Sequence, residues 1–144
     1  MLTGISRFAL AFVIGALIIL AATGNLVSFS PFAIAAQLLA VGLAVWARRS
    51  FPAGAFRVSA GPGANSVIRR GPYRLIRHPM YAGALLFIWA AVLSHLSLWT
   101  AVVAVVVTTI VAIRIDIEER VLRERYIDYD TYAQATKAIV PYLL

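Results

Sequence analysis

Two long intervals without a formal charge constrain this chain more than any other feature. No Asp, Glu, Lys or Arg lies between Arg7 and Arg48, and none occurs from Pro79 to Ile113. The first interval has room for two helices of about 17–20 residues at ~1.5 Å rise per residue. Turn formers in "TGNLVSFSP" divide it, and "SHLSLW" divides the second. The spacing predicts four apolar spans at residues 8–26, 31–47, 80–93 and 96–113. The last two are short for a bilayer, so the fourth is expected to continue past Arg114, leaving that residue at the membrane boundary. Composition agrees: 62% of the 144 residues are hydrophobic and 13% are charged, more apolar surface than so small a soluble domain can bury. A single Arg precedes the first span, no clear cleavage site follows it, and a second apolar run comes at once. The span therefore reads as a membrane helix and not as a signal peptide. The expected fold class is all-α: one polytopic membrane domain of four helices in two hairpins.

Charge placement orients this arrangement. The connection 48–78 contains Arg48, Arg49, Arg57, Arg69, Arg70, Arg74 and Arg77 and no acid, whereas the other two connections carry no formal charge. By the positive-inside tendency, that loop and both termini are cytoplasmic, as in a prokaryotic inner-membrane protein. Cysteine is absent, which excludes disulfides, thiolate nucleophiles and Cys-ligated metals. Two histidines and six acids make a protein-only metal cage an unattractive reading. Nucleic acid is not an expected partner; the arginines suit lipid phosphates. Four short helices enclose little volume, which makes a homodimer worth testing.

The chemistry-bearing residues gather where charge meets hydrocarbon. In "RGPYRLIRHPMY", Gly71-Pro72 and His78-Pro79 form two rigid turns, and Pro79 suits the first turn of a helix because its missing N–H costs nothing there. Interfacial anchoring explains the arginines, but not a His-Pro step between Tyr73 and Tyr81. After the fourth span, "RIDIEER" places Arg114 and Glu118 four residues apart on one helix face, at the first charged positions beyond the hydrocarbon. The pairs Asp116–Arg120, Glu119–Arg123 and Arg120–Glu124 share that spacing and read as weak ion pairs on a solvated amphipathic C-terminal helix spanning 114–144. His95 reads as a satisfied turn residue. Tyr126, Tyr129 and Tyr132 read as packing residues.

"GPYRLIRHPMYAG", an apolar hairpin and then "RIDIEERVL" together resemble the isoprenylcysteine carboxyl methyltransferase and phospholipid methyltransferase superfamily, integral-membrane enzymes that use S-adenosyl-L-methionine. The resemblance runs from Val67 to about Tyr132. It implies cofactor contacts at Val67, Ile68, Tyr73, His78, Pro79, Met80, Tyr81 and Glu118, and a substrate-holding role for Arg114. It also implies methyl transfer to a lipophilic acceptor, either an isoprenylcysteine-like carboxylate or a related lipid or small hydrophobic molecule. Arg114 and Glu118 are then the expected catalytic pair. Two other readings compete: a non-catalytic membrane scaffold, and a nicotinamide-dependent membrane reductase with a related C-terminal region.

Overall fold

The computed structural model describes residues 2–51 and 67–140, with side chains from residue 11 onward. Much of the arginine-bearing loop, including Arg57, lies outside the described residues, as do the last four residues of the apolar tail. Among the described residues the protein is all-helical, with five α-helices and no strand. These are α1 (Leu2–Ala22), α2 (Pro31–Arg49), α3 (Pro79–Ser94), α4 (Leu98–Arg125) and α5 (Tyr129–Ala135).

The helix ends have local causes. α1 stops short of the expected Leu26 because Gly24 takes a left-handed φ of 71°. Its N–H then bonds Ala21 O while Asn25 N–H reaches back to Leu20 O, which closes the last turn and satisfies two carbonyls. α2 and α3 both begin on proline, and α4 begins with a reciprocal Ser97–Thr100 capping box.

The fourth helix continues past Arg114 as expected, but the helical segment foreseen over 114–144 is split between the end of α4 and the short α5. Between Leu98 and Arg125 there is no Gly or Pro to interrupt the backbone ladder, so residues 114–125 are the charged extension of α4 itself. At 28 residues the helix is about 42 Å long, longer than a hydrocarbon core of ~30 Å, so its charged end stands clear of the apolar stretch. The chain then turns at residues 126–128 into the short α5.

Among the described residues, two helices, Pro31–Arg49 and Leu98–Arg125, are long and apolar enough to cross a membrane; Pro79–Ser94 is shorter, and α1 is apolar over Ala11–Ala22. Packing runs across the sequence hairpins: α2 lies chiefly on α3 and α1 on α4, while α3 and α4 also touch. Small residues decide the first pairing. Ala33, Ala40 and Ala47 form a buried stripe on α2, and a β-carbon at Gly83 would come within 2.9 Å of the Ala40 carbonyl oxygen. Leu20 of α1, Leu85, Ile88 and Val92 of α3, and Ala104, Val107, Val111 and Ile115 of α4 make one apolar cluster. Polar groups inside it are paired, as in the Trp89 Nε1–H bond to Thr108 Oγ1 at 3.1 Å. His95 is satisfied in its turn, with Nε2 3.0 Å from Val27 O, which joins the two uncharged connections.

Gly83→Ala should therefore lower stability by about 1–3 kcal/mol, because the added methyl meets backbone and not a flexible side chain. Gly42→Ala, also in a helix but with open space at its β-carbon, should be neutral or stabilising. Thermal unfolding of the two variants in detergent checks the contrast; equal melting temperatures would contradict the α2–α3 contact.

Candidate functional site

The site is assembled by an anchored turn, the start of α3 and the charged end of α4. Gly71 has φ 60°, and a β-carbon there would collide with Ser50 Oγ, so this position needs glycine for both reasons. Arg70 Nε–H donates to Ser50 O at 2.7 Å, which ties the turn to the end of α2. A 3-10 turn over Gly71–Arg74 buries Pro72 and Tyr73. The following strand-like residues pair with the chain after α5. Arg77 N–H bonds Lys137 O at 2.7 Å, His78 N–H bonds Ala138 O at 3.0 Å, and Lys137 N–H bonds Leu75 O at 3.1 Å.

From this frame His78 enters α3 as its cap, buried, with its ring stacked on Tyr81 at 5.7 Å. Tyr81 Oη–H donates to Glu118 Oε1 at 2.7 Å, and Arg114 Nε–H donates to the same oxygen at 3.0 Å. The Arg114 guanidinium also lies 5.2 Å from the Tyr81 ring centroid, a cation–π distance. His78 Nδ1 stands 3.8 Å from Glu118 Oε2. Four residues singled out by sequence are thus drawn together: His78, Tyr81, Arg114 and Glu118.

A second carboxylate lies on the other side of His78. Glu119 Oε1 is 3.3 Å from His78 Nε2 and accepts from Arg77 Nε–H at 2.7 Å, while Oε2 accepts from Arg123 at 2.9 Å. Arg77 continues to the carbonyls of Ala133 and Thr136. Glu119 was expected on a solvated face; it is buried, because α4 wedges between the His78 turn and the α5 segment. Adjacent residues on a helix point about 100° apart, so Glu118 and Glu119 serve opposite sides of that wedge. The Asp116–Arg120 pair does match the surface reading, at 2.9 Å and well exposed.

The tyrosines close the far wall. Tyr132 Oη–H donates to Tyr73 O at 2.8 Å, and Tyr129 and Tyr132 pack edge-on at 5.9 Å. Burial pushes the hydroxyls of Tyr73, Tyr129 and Tyr132 above the ordinary phenol range, that of Tyr132 up to about 12, so all three stay protonated. Tyr129 Oη is buried among the described residues without a hydrogen-bond partner, in the field of Glu119 and Arg77. An enclosed hydroxyl in that condition costs about 1–3 kcal/mol, which a polar group of a ligand would recover.

The remaining expected contacts are more peripheral. Pro79 is buried in the first turn of α3 and Met80 follows it half-buried. Tyr73 reaches the cluster through the field of Glu118 and the bond from Tyr132. Val67 and Ile68 are half-buried in the irregular stretch before the turn, and no described contact ties them to Glu118. Arg77, Glu119 and Tyr129 were missed as site residues. Arg77 alone offered a signal, through its place beside His78.

The polar cluster thus sits at the charged end of a long apolar helix, the build of a protein that works at a membrane surface. The chain belongs to the phospholipid methyltransferase family, which it matches over residues 10–128. No curated protein and no solved structure matches it.

Proposed function

We propose that the protein transfers a methyl group from S-adenosyl-L-methionine to a lipophilic acceptor, a lipid bearing a headgroup amine. The reading rests on the Glu118 carboxylate, held by Tyr81 and Arg114 beside His78 where α4 leaves its apolar stretch. When bound, the donor supplies a reactive methyl on a sulfonium. The chain's own groups fit such a ligand. Glu118 retains acceptor capacity on Oε2 for hydroxyl or amino donors, and Tyr129 has a buried hydroxyl to satisfy. Tyr73 and Tyr132 offer aromatic walls.

The topology that suits this chemistry has α1–α4 as four spans, with both termini and the site on the arginine-rich side. That side is cytoplasmic by the positive-inside tendency, in a prokaryotic inner membrane. Arg114 holds the acceptor's anionic group, here the lipid phosphate. An amine is favoured over an isoprenylcysteine-like carboxylate because the Glu118 carboxylate keeps an oxygen, Oε2, able to accept from an amine or to face its positive charge. Catalysis then comes from orientation and exclusion of water, with the charged ends of the reactants meeting at the membrane surface. Membrane lipid covers the exposed apolar side chains of α2, among them Phe32, Leu38 and Leu39, and a second copy in a homodimer would fit the same surface.

The test is transfer of labelled methyl from S-adenosyl-L-methionine to a bacterial lipid extract by the purified protein. Label in amine-bearing lipids is the expected result; label in carboxylate-bearing prenyl compounds alone would replace the amine reading, and no label in any lipid would overturn the function. Arg114→Ala should lower kcat roughly 10- to 100-fold while donor affinity changes by less than about threefold. Equal loss in both would remove its substrate role.

A further inference from the structure

The two connections at the end of the molecule away from the site hold their apolar side chains outward. Phe29 is 97% exposed and Leu98 85%, with Val27 and Leu96 exposed beside them, and neither connection contains Asp, Glu, Lys or Arg. They form one surface, because His95 Nε2–H in the second connection meets Val27 O in the first at 3.0 Å. Phe32, at the start of α2, continues that surface onto the lipid-covered face of the helix.

Helix length says what covers it. His78 and Arg114 both meet Glu118, so they mark one level near the edge of the hydrocarbon. From that level the 16 residues of α3 rise about 24 Å, about 6 Å less than a hydrocarbon core of ~30 Å, and any tilt shortens the reach. The uncharged part of α4, Leu98 to Ile113, is equally long. The far connections therefore end inside the apolar layer.

A connection sunk in hydrocarbon has no water to meet its backbone, and side chains take that part here. Gln37 Nε2–H donates to Leu26 O at 2.7 Å, Asn25 Nδ2–H to Thr23 O at 3.1 Å, and Thr100 Oγ1–H to His95 O at 3.0 Å. Ser28 Oγ accepts from Ser30 N–H at 3.1 Å. Gln37, Ser28 and Thr100 are themselves buried, so these bonds are made within the protein, where an aqueous surface would leave them to solvent. A protein partner is the poorer fit, since docking surfaces surround an apolar centre with a polar rim and this end has no charge to supply one.

We propose that both uncharged connections are immersed in the far leaflet, with Val27, Phe29, Leu96 and Leu98 against lipid acyl chains, so that the protein meets water on the side of the site alone. This rests on the four-span topology proposed above and not on methyl transfer. Donor, acceptor headgroup and product then all enter and leave on that one side.

The chain has no cysteine, so Phe29→Cys, Leu96→Cys, Leu39→Cys and Ile127→Cys each accept a single nitroxide label. All four side chains are exposed, so none of the substitutions opens the packed interior. In vesicles of dioleoylphosphatidylcholine, oxygen concentrates in the hydrocarbon and a nickel chelate in the water. The ratio of their collisions with each label reads its depth. Labels at positions 29 and 96 should be lipid-facing, like the label at 39 in the middle of α2, and the label at 127, in the turn after α4, should face water. In the thinner dimyristoyl bilayer, the labels at 29 and 96 should shift toward water while that at 39 keeps its lipid signal. Water-facing labels at 29 and 96 beside a lipid-facing label at 39 would overturn the proposal and leave the spans standing. Weak collision with both probes would mean a protein cover, and a depth indifferent to bilayer thickness would mean that the bilayer adapts to the protein; either result overturns it as well. A water-facing label at 39 would sink the four-span topology itself.

Discussion

Glu118→Ala should reduce affinity for the methyl donor roughly 10- to 100-fold, the loss expected when hydrogen bonds to a charged group are removed. Glu118 organises its surroundings as well as offering a carboxylate to the proposed donor. Its Oε1 gathers the Tyr81 hydroxyl and the Arg114 guanidinium, and its Oε2 faces His78. Alanine at this position deletes the carboxylate and lets the Tyr81 ring and Arg114 relax from their shared geometry. The helix persists, because alanine is the strongest helix former and the residue lies beyond the apolar cluster, which ends at Ile115 on α4. Tyr81→Ala should weaken donor binding by a smaller factor through the same carboxylate. Calorimetric titration alongside circular dichroism checks both variants; unchanged affinity with retained helicity would remove donor binding from this face of α4.

Arg77→Ala acts from the other side of the wedge. Arg77 joins three elements: Glu119 on α4, the carbonyl of Ala133 in α5, and that of Thr136 just after it. The Arg77–Glu119 pair is enclosed, with side chains 13% and 9% exposed, so deleting one partner leaves a charge in a poorly solvated place. Breaking such a pair costs about 3 kcal/mol, the low end of the range for buried pairs. The cost should fall on the attachment of residues 129–140, because the apolar cluster of α1, α3 and α4 is elsewhere. Hydrogen exchange should show faster exchange at His78 and Lys137, whose amides pair across this junction, and little change in α3 and the apolar part of α4. Arg77→Lys should recover little, since a lysine cannot reproduce the planar set of donors. Protection unchanged at the junction would mean that the backbone pairing alone holds the segment.

Some of this arrangement was legible in the chain and some was not, for physical reasons. The apolar helices followed from charge-free length, and the start of α3 from a His-Pro step whose proline needs a helix N-terminus. The Arg114–Glu118 pair followed from helical spacing alone. The meeting of Tyr81 with Glu118 spans 37 residues, so only the family resemblance brought them together in advance. Glu119 was hidden because its spacing to Arg123 is that of a surface pair; its other partners, Arg77 and His78, are more than forty residues away. Helix pairing was also hidden. α1 and α3 are apolar over most of their surface and announce no preferred face, so the choice of α2 for α3 rests on the fit of Gly83 against Ala40, visible only in three dimensions. The early stop of α1 was readable in principle from Gly24, whose left-handed backbone ends a helix whatever the hydropathy beyond it.

The shortest route to a decision is a titration of the wild-type protein with S-adenosylhomocysteine, the demethylated donor, in detergent and in nanodiscs. Donor binding at His78, Tyr81 and Glu118, as proposed, requires saturation at one ligand per chain, undisturbed by excess NADPH. A flat titration in both environments would return the protein to the scaffold reading, and displacement by NADPH would return it to the reductase one.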